Sequence, residues 1–232
     1  MSKTRSIAGH LTGRETVSGF LYMALEFLVL PSLLNWCNAQ MAAPLSEVEL
    51  NFVFYLINFM AMLLIFHDFL GRSARYALQH PVDFLEALIL GAVAYYACRY
   101  VTTELIRLLV PSFTNYNDAA IAEMRRGNSF LMFIGTVILV PPFEECIFRG
   151  LIFRNLYNKS RWAAYLVSMV VFAMIHILGY IGQYSALELM MALLQYLPAG
   201  LCLGWAYAKG NTIFVPIVIH ATVNYLTIRG MI

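Results

Sequence analysis

Two glutamates and an arginine lie close together in one long apolar stretch of the sequence, residues 131–157. A charged side chain near the middle of a bilayer costs about 2.5–3.5 kcal/mol or more, so each of these groups needs a partner. Glu145 and Arg149 are four residues apart and can form an ion pair on one face of a helix. Glu144 points about 140° away from Arg149 and lacks that partner. The sequence therefore predicts one neutralised carboxylate and one that is free for chemistry.

Two later apolar stretches each carry polar side chains at the spacing of one helical turn. The first contains Phe172 and His176, and the second contains His220 and Asn224. Because buried polar groups in lipid need partners, we predict that the two histidines and Asn224 converge with Glu144. Phe172 is predicted to pack beside them and to shape the pocket.

These side chains are suited to the hydrolysis of a peptide bond. A glutamate beside a histidine can take a proton from water, and a second histidine and an asparagine amide can stabilise the oxyanion. The same Glu, His and His set could instead bind a metal such as Zn²⁺. The sequence has no HExxH motif and its two histidines lie 44 residues apart, so spacing alone leaves the metal question open. A cysteine nucleophile is disfavoured because Cys146 points about 100° away from Glu145 on a helix.

A pair of prolines stands just before the two glutamates. Pro142 cannot donate a backbone hydrogen bond, and its ring disfavours helical geometry at Pro141. The helix is therefore predicted to break just before Glu144 and to restart there. Irregular backbone at membrane depth is tolerated only where it is buried in protein or lines a water-filled cavity, and hydrolysis requires such a cavity.

The composition is that of an integral membrane protein. Of the 232 residues, 61% are hydrophobic and 12% are charged, whereas a soluble domain has roughly 25% charged residues. The net charge of +2 and the lack of a Lys/Arg-rich run argue against nucleic-acid binding. We therefore expect an all-α, polytopic transmembrane helical bundle that is surrounded by membrane lipids and has no nucleic-acid partner.

Apolar runs of about 20 residues predict seven membrane spans, with the broken helix at the active site. An eighth span is expected if residues 96–110 form a separate element. The polar segment 111–128 is interpreted as a loop or an interfacial helix. The seven predicted spans are approximately residues 17–36, 50–66, 84–100, 130–156, 162–181, 186–208 and 212–228.

Basic residues near the predicted spans set the expected orientation. By the positive-inside rule they place the N-terminus in the cytoplasm, and simple alternation then places segment 111–128 outside, despite its arginines. Glu26, within the first span, is predicted to face the bundle interior and to be paired there. The basic residues that decide the orientation are Lys3, Arg5, Arg14, Arg154, Lys159 and Arg161.

Taken together, the three polar motifs resemble those of the CPBP family (also called Abi) of intramembrane proteases. This family includes CAAX proteases of the Rce1 type, which are prenyl-protein endopeptidases, and bacteriocin-processing proteins. Residues 144–150 are similar to the family's EExxxR motif, residues 172–176 to its FxxxH motif and residues 220–224 to its HxxxN motif. The motifs occur in family order, and the resemblance covers about residues 130–228.

The resemblance implies a single membrane domain with two parts and an intramembrane endopeptidase activity. Residues 1–128 would supply transmembrane helices and amphipathic connections, and residues 129–232 the catalytic core. The expected substrate is a membrane-associated peptide or protein, cleaved by glutamate-activated water without a metal. Zinc bound by Glu144, His176 and His220 is the alternative. By motif position, the base would be Glu144 with His176, the oxyanion support His220 and Asn224, and the supporting residues Glu145, Arg149 and Phe172.

Two other functions stay open at this stage. A non-catalytic bacteriocin-immunity or binding membrane protein could retain the polar cluster as structure. A small transporter could use buried Glu and His side chains as a proton relay, although we see no inverted repeat. The short termini and the lack of a targeting segment favour a prokaryotic cell-membrane protein, for which prenylated substrates are less expected.

Overall fold

The computed structural model describes residues 9–230, and within this range the chain forms nine α-helices and no β-strand. The predicted all-α class is therefore confirmed. Lys3 and Arg5, which entered the orientation prediction, lie outside the described residues. In chain order the helices are α1 (Gly13–Leu28), α2 (Leu30–Ala39), α3 (Glu47–Gln79), α4 (Pro81–Leu109), α5 (Tyr116–Gly127), α6 (Ser129–Tyr157), α7 (Arg161–Ile175), α8 (Ala186–Gly210) and α9 (Phe214–Arg229).

Three helices begin at capping boxes, in which a Ser or Thr side chain accepts a backbone N–H bond and a Glu returns one. At the start of α1, Glu15 also connects two helices. It accepts a hydrogen bond from the backbone N–H of Phe69 at 2.7 Å and forms an ion pair with Arg72 at 2.8 Å. Both partners follow a kink of α3 at Phe66, so Glu15 holds the start of α1 against the second half of α3.

The structure does not confirm the predicted number of membrane spans. Four helices, α3, α4, α6 and α8, are long and apolar enough to cross a bilayer. α1 and α2 together add a fifth candidate, bent by 48° at the break between them, where Pro31 lies in the first turn of α2. α7 has 15 residues and α9 has 16, fewer than the roughly 20 needed for a hydrocarbon core of about 30 Å. The count of seven is therefore not confirmed, and residues 96–110 continue α4 instead of forming an eighth element.

The predicted break before Glu144 takes a different form. α6 has no non-helical residue at this point, and α-helical geometry continues over Val140–Glu145. The segments on either side, Ile134–Leu139 and Cys146–Phe153, are π-helical. The prediction of an interrupted helix was therefore wrong, and α6 runs unbroken through the site.

The π-helical segment before the prolines explains why the helix does not stop. A proline ring crowds the carbonyl four residues earlier, and for Pro141 and Pro142 these carbonyls lie in the π segment. A π turn is wider because its hydrogen bonds join residues five apart, as seen between the Val140 N–H and the Gly135 carbonyl. The helix thus accommodates both prolines by a change of winding.

The helices place the start of α1 and the region around α5 at opposite ends of the bundle. At the first end, Arg154 near the end of α6 lies 3.0 Å from the ring of His10, measured from Nη2 to Nδ1. At the other end, Arg125 of α5 donates a hydrogen bond to the backbone carbonyl of Ile228, near the end of α9. α6 is the most buried of the candidate spans and extends from the α5 end to the α1 end.

Candidate active site

The side chains that the sequence predicted to converge line one cavity of about 240 Å³. They come from three helices and are up to 80 residues apart in the chain. α6 supplies Glu144, α9 supplies His220 and Asn224, and His176 follows the last residue of α7. Phe172 also lines the cavity, as expected for a residue that shapes the pocket.

Glu144 enters the cavity from the middle of α6, and its side chain is 16% exposed. Its Oε2 atom has no hydrogen-bond partner among the described residues and lies 3.9 Å from Nε2 of His220. This distance is too long for a direct hydrogen bond, and a water molecule could bridge the two atoms. Glu144 therefore has an oxygen that no described side chain binds directly, as expected for a carboxylate that does not pair with Arg149.

Glu145 lies behind Glu144 and is completely buried. Its Oε1 atom accepts hydrogen bonds from Nη1 of Arg149 at 3.0 Å and from Nδ1 of His220 at 2.8 Å. The predicted Glu145–Arg149 ion pair is thus confirmed. Because the carboxylate engages Nδ1, the His220 ring is held with Nε2 on the side of Glu144.

Arg149 connects three helices through its buried guanidinium group. Its Nη2 atom donates to the backbone carbonyls of Ala199 at 3.2 Å and Gly200 at 3.4 Å, both in α8. Its Cζ atom lies 4.4 Å from the ring centroid of Phe172 in α7, which is within the range of a cation–π interaction. The ion pair with Glu145 is therefore fixed from α6, α7 and α8 together.

His176 is oriented by the turn that ends α7. Its Nδ1 atom donates to the backbone carbonyl of Phe172 at 2.8 Å, since a carbonyl can only accept. Its ring stacks on Tyr196 of α8, with 4.2 Å between the ring centroids and 25° between the planes. With the hydrogen on Nδ1, a neutral His176 has Nε2 available as an acceptor.

Asn224 is held by a carbonyl that the prolines leave free. Its Nδ2 atom donates to the backbone carbonyl of Thr136 at 2.8 Å. In a helix this carbonyl would bond to the N–H of residue 140 or 141, but Val140 donates to Gly135 and Pro141 has no N–H. The proline that suggested a broken helix therefore creates the acceptor that positions Asn224.

The acidic and histidine side chains of the cavity are also the types that bind metal ions. The described part of the chain contains no group of three His, Cys, Asp or Glu side chains placed to hold a metal ion. As they stand, Glu144, His176 and His220 do not fit the alternative zinc site.

Sequence reasoning missed several polar residues that line the same cavity. Asp118 and Asn117 belong to α5, and Arg99 belongs to α4. The hydroxyl group of Tyr196 accepts a hydrogen bond from Nδ2 of Asn117 at 3.1 Å, which ties α5 to α8. The polarity of segment 111–128 was the available signal, but no spacing rule connected it to the motifs.

Burial and nearby charge act in opposite directions on Asp118. Burial raises the pKa of its carboxyl group, and the positive charge of Arg99 partly opposes that shift. The helix that carries Asp118, α5, is not a membrane-span candidate, and Asp118 is half-buried where this helix meets the cavity.

The fold and the cavity define an integral membrane protein with glutamate and histidine side chains gathered in its interior. Comparison with known proteins shows a similarity over part of the chain. Residues 126–226 match the family described as Type II CAAX prenyl endopeptidase Rce1-like. All three motifs lie in this part of the chain, and here the resemblance to the CPBP proteases is confirmed.

Two curated bacterial proteins are similar to part of the chain. The "UPF0177 protein YxdF" of Lactococcus lactis subsp. lactis (strain IL1403) is 36% identical over 87 residues, which is 38% of this chain and 42% of the relative. The "Putative membrane peptidase YdiL" of Bacillus subtilis (strain 168) is 35% identical over 95 residues, which is 40% of this chain and 34% of the relative. The chain thus spans less than half the length of the curated relatives it matches. No solved structure matches it significantly.

Proposed function

We propose that the protein is an intramembrane endopeptidase that hydrolyses peptide bonds of membrane-associated peptides or proteins. The main support is the carboxylate of Glu144, whose Oε2 atom has no hydrogen-bond partner in the described structure and which lines a cavity with two histidines and an asparagine. A buried carboxylate that is not used to stabilise the fold is available as a base. The Rce1-like family and the name of the Bacillus relative are consistent with this activity.

Glu144 acts in this proposal as the general base. It takes a proton from a water molecule, and the oxygen of that water attacks the carbonyl carbon of the scissile bond. Nε2 of His176 accepts the second hydrogen bond of the water and orients it. When the tetrahedral intermediate collapses, the C–N bond breaks and the proton on Glu144 passes to the leaving nitrogen.

His220 and Asn224 stabilise the negative charge that develops on the carbonyl oxygen. With Nδ1 bonded to Glu145, a doubly protonated His220 has its Nε2–H available as a donor. The Thr136 carbonyl takes one hydrogen of the Asn224 amide and leaves the other. Donors that are fixed before the reaction need no reorganisation, which is the usual basis of oxyanion stabilisation.

The first test of this function is peptide release from membranes that contain the protein. Membranes with wild-type protein, Glu144→Gln or Glu123→Gln are incubated with a library of membrane-attached peptides, and released fragments are identified by mass spectrometry. We expect Glu144→Gln to lower release by about 10²–10⁴-fold, the usual contribution of a general base. Glu123, which is 70% exposed in α5, provides a control that keeps wild-type release.

The outcome also separates the alternatives. Normal release by Glu144→Gln would contradict the proposed mechanism. A binding or immunity function would survive this substitution, and solute uptake by proteoliposomes would identify a transporter.

Removal of metal tests the choice between glutamate-activated water and zinc. We expect release to persist after dialysis against a chelator, because no described group of three side chains is placed to hold an ion. Loss of activity that zinc restores would instead support the metal alternative, with Glu144, His176 and His220 rearranged as ligands.

A further inference from the structure

A second, smaller cavity of about 40 Å³ borders Glu144 and lies between α1, α3 and α6. This volume can hold at least one water molecule, which needs roughly 10–15 Å³ by the same measure. Glu144 and Tyr55 line both cavities, so the carboxylate is placed between them. The small cavity is lined by Glu26, Phe54, Tyr55, Asn58, Val140, Phe143 and Glu144.

The proposed mechanism does not use Glu26, although its carboxyl group lines this second cavity. The residue is 5% exposed, and its Oε2 atom has no hydrogen-bond partner among the described residues. Glu26 faces the interior as the sequence predicted, but this oxygen lacks the predicted partner. The nearby hydroxyl of Tyr22 donates instead to Oδ1 of Asn58 at 2.7 Å.

The charges around the small cavity do not neutralise a second anion. Among the described residues, no Lys, Arg or His lines it. On the far side of Glu144, the guanidinium of Arg149 and the ring of His220 are both bonded to Glu145. Two carboxylates that share an apolar site do not both ionise easily, because the charges repel and neither is well solvated.

We propose that Glu26 and Glu144 share one proton across this cavity through a bound water molecule, so that the pair carries a single negative charge. Titratable and charged groups face the pair from every neighbouring element: Tyr22 on α1, Tyr55 on α3, Arg149 on α6, His176 after α7 and His220 on α9. Glu26 is then a positioning residue: it holds the proton and orients the carboxylate of Glu144 toward the histidines. The base function of Glu144 rests on the proposed peptidase activity, whereas the proton sharing does not.

Infrared difference spectroscopy of the purified protein tests the shared proton without any substrate. Near pH 7, the spectrum of the wild type minus that of Glu26→Gln should contain the carbonyl stretching band of a protonated carboxyl group. Glu144→Gln should shift this band, because Glu26 then loses the partner with which it shares the proton. The matched control Glu123→Gln changes an exposed carboxylate and should leave the band unchanged.

Two results would overturn the proposal. One is the absence of a protonated carboxyl band from the wild-type minus Glu26→Gln difference. The other is a band that Glu144→Gln leaves in place, since Glu26 would then be protonated by burial alone. If Glu26→Gln fails to fold, the comparison of wild type with Glu144→Gln still decides between these outcomes.

The pH dependence of peptide release provides a second measurement. The proton on Glu26 stabilises the anion of Glu144 through the bridging water, so Glu26→Gln, which cannot share that proton, should move the acidic limb of the kcat/KM profile to higher pH. KM should change less than about twofold, because Glu26 does not line the substrate cavity. An unchanged pH dependence of kcat/KM in Glu26→Gln would contradict the sharing of a proton between Glu26 and Glu144. A spectroscopic band in a protein that releases no peptide would contradict only the peptidase function.

Discussion

Glu144 and Glu145 are neighbours in the chain but have opposite electrostatic surroundings. One oxygen of Glu145 accepts two hydrogen bonds, from a guanidinium and from an imidazole, inside a completely buried site. Glu144, whose Oε2 atom has no described hydrogen-bond partner, borders two cavities. The difference follows from the 100° between successive residues on a helix, which turns one carboxylate into the core and the other toward the space between helices.

Replacing one member of the buried Glu145–Arg149 ion pair should lower the free energy of unfolding more than replacing both members. Arg149→Met leaves the charge of Glu145 buried without its ion-pair partner, for which we expect a loss of about 3–5 kcal/mol in the free energy of unfolding. The double variant Glu145→Leu/Arg149→Met removes both charges and should lose less. Thermal unfolding in detergent measures both. Equal losses would indicate that the carbonyl bonds of Arg149, rather than the ion pair, carry the stability.

The spacing of polar residues predicted this ion pair and the convergence of the motifs. Residues four apart on a helix must share a face, and polar groups in lipid must find one another. The bond from Asn224 to Thr136 was beyond this reasoning, because it depends on which carbonyl a π turn leaves unpaired. The second carboxyl, Glu26, was visible as a buried charge, but its cavity beside Glu144 requires the packing of α1 against α6.

Among the helices, α6 shows that two consecutive prolines do not always interrupt a helix. Sequence rules give the cost of a proline within an α-helix, and they do not include a switch to π winding. In α6 that switch retains the helix and leaves the Thr136 carbonyl free. A π turn is often found at functional sites for this reason, since it exposes a polar backbone group without a loop.

A glycine in α8 should be essential for the packing that positions Arg149. A Cβ atom on Gly200 would lie 2.6 Å from the Cα of Met169 in α7, so Gly200→Ala must push the two backbones apart. We expect a loss of about 1–3 kcal/mol in stability and a parallel loss of peptide release.

The matched control for this substitution is Gly71→Ala. Gly71 lies in α3, with nothing within 4 Å of an added Cβ, and alanine should be neutral or stabilise by up to about 1 kcal/mol. Thermal unfolding of the two variants compares the addition of one methyl group beside the backbone of Met169 with the same addition in open space. Similar unfolding midpoints would mean that α7 and α8 can separate without cost.

The docking of α5 should weaken as pH rises. Burial raises the pKa of Asp118, so the docked state binds a proton more strongly than the undocked state. Docking is then favoured at low pH and is weakened as pH rises above the ordinary value of about 3.9. Hydrogen exchange of residues 116–127, corrected for intrinsic rates, should be faster near pH 7 than near pH 4.

Asp118→Asn provides the control, because asparagine does not titrate over this range. The pH dependence should disappear in this variant, although Arg99 and His176 also face the carboxyl group. If the dependence persists, one of the other groups at the cavity controls the docking of α5.

For the whole molecule, hydropathy predicted a helical membrane bundle, but the structure does not confirm all seven predicted spans. Apolar composition identifies residues that prefer lipid, and it does not show where a helix ends. α7 stops at Ile175, where the chain turns and His176 bonds back to Phe172. α9 likewise has only 16 residues. α9 carries His220 and Asn224, and His176 directly follows α7. The predicted spans that the structure does not confirm are therefore those that carry three of the four predicted catalytic side chains.

The orientation of the bundle can be measured by cysteine labelling. The predicted cytoplasmic N-terminus places α5 outside, so a membrane-impermeant thiol reagent should label Ala122→Cys in intact cells. Lys159→Cys, after the end of α6, should react only after permeabilisation. Both are made in a background in which the exposed cysteines, Cys37 and Cys98, are replaced by Ser. The reverse pattern would invert the predicted topology.

The cavity that Glu144 lines extends from the middle of α6 to the end of the bundle where α5 lies, away from the start of α1. If the N-terminus is cytoplasmic, this end faces the exterior, and polypeptides that have already been secreted could enter it from the outer leaflet. If the proposed peptidase activity is also correct, the cleaved fragment would diffuse directly into the surroundings, and the cell would need no exporter to deliver it.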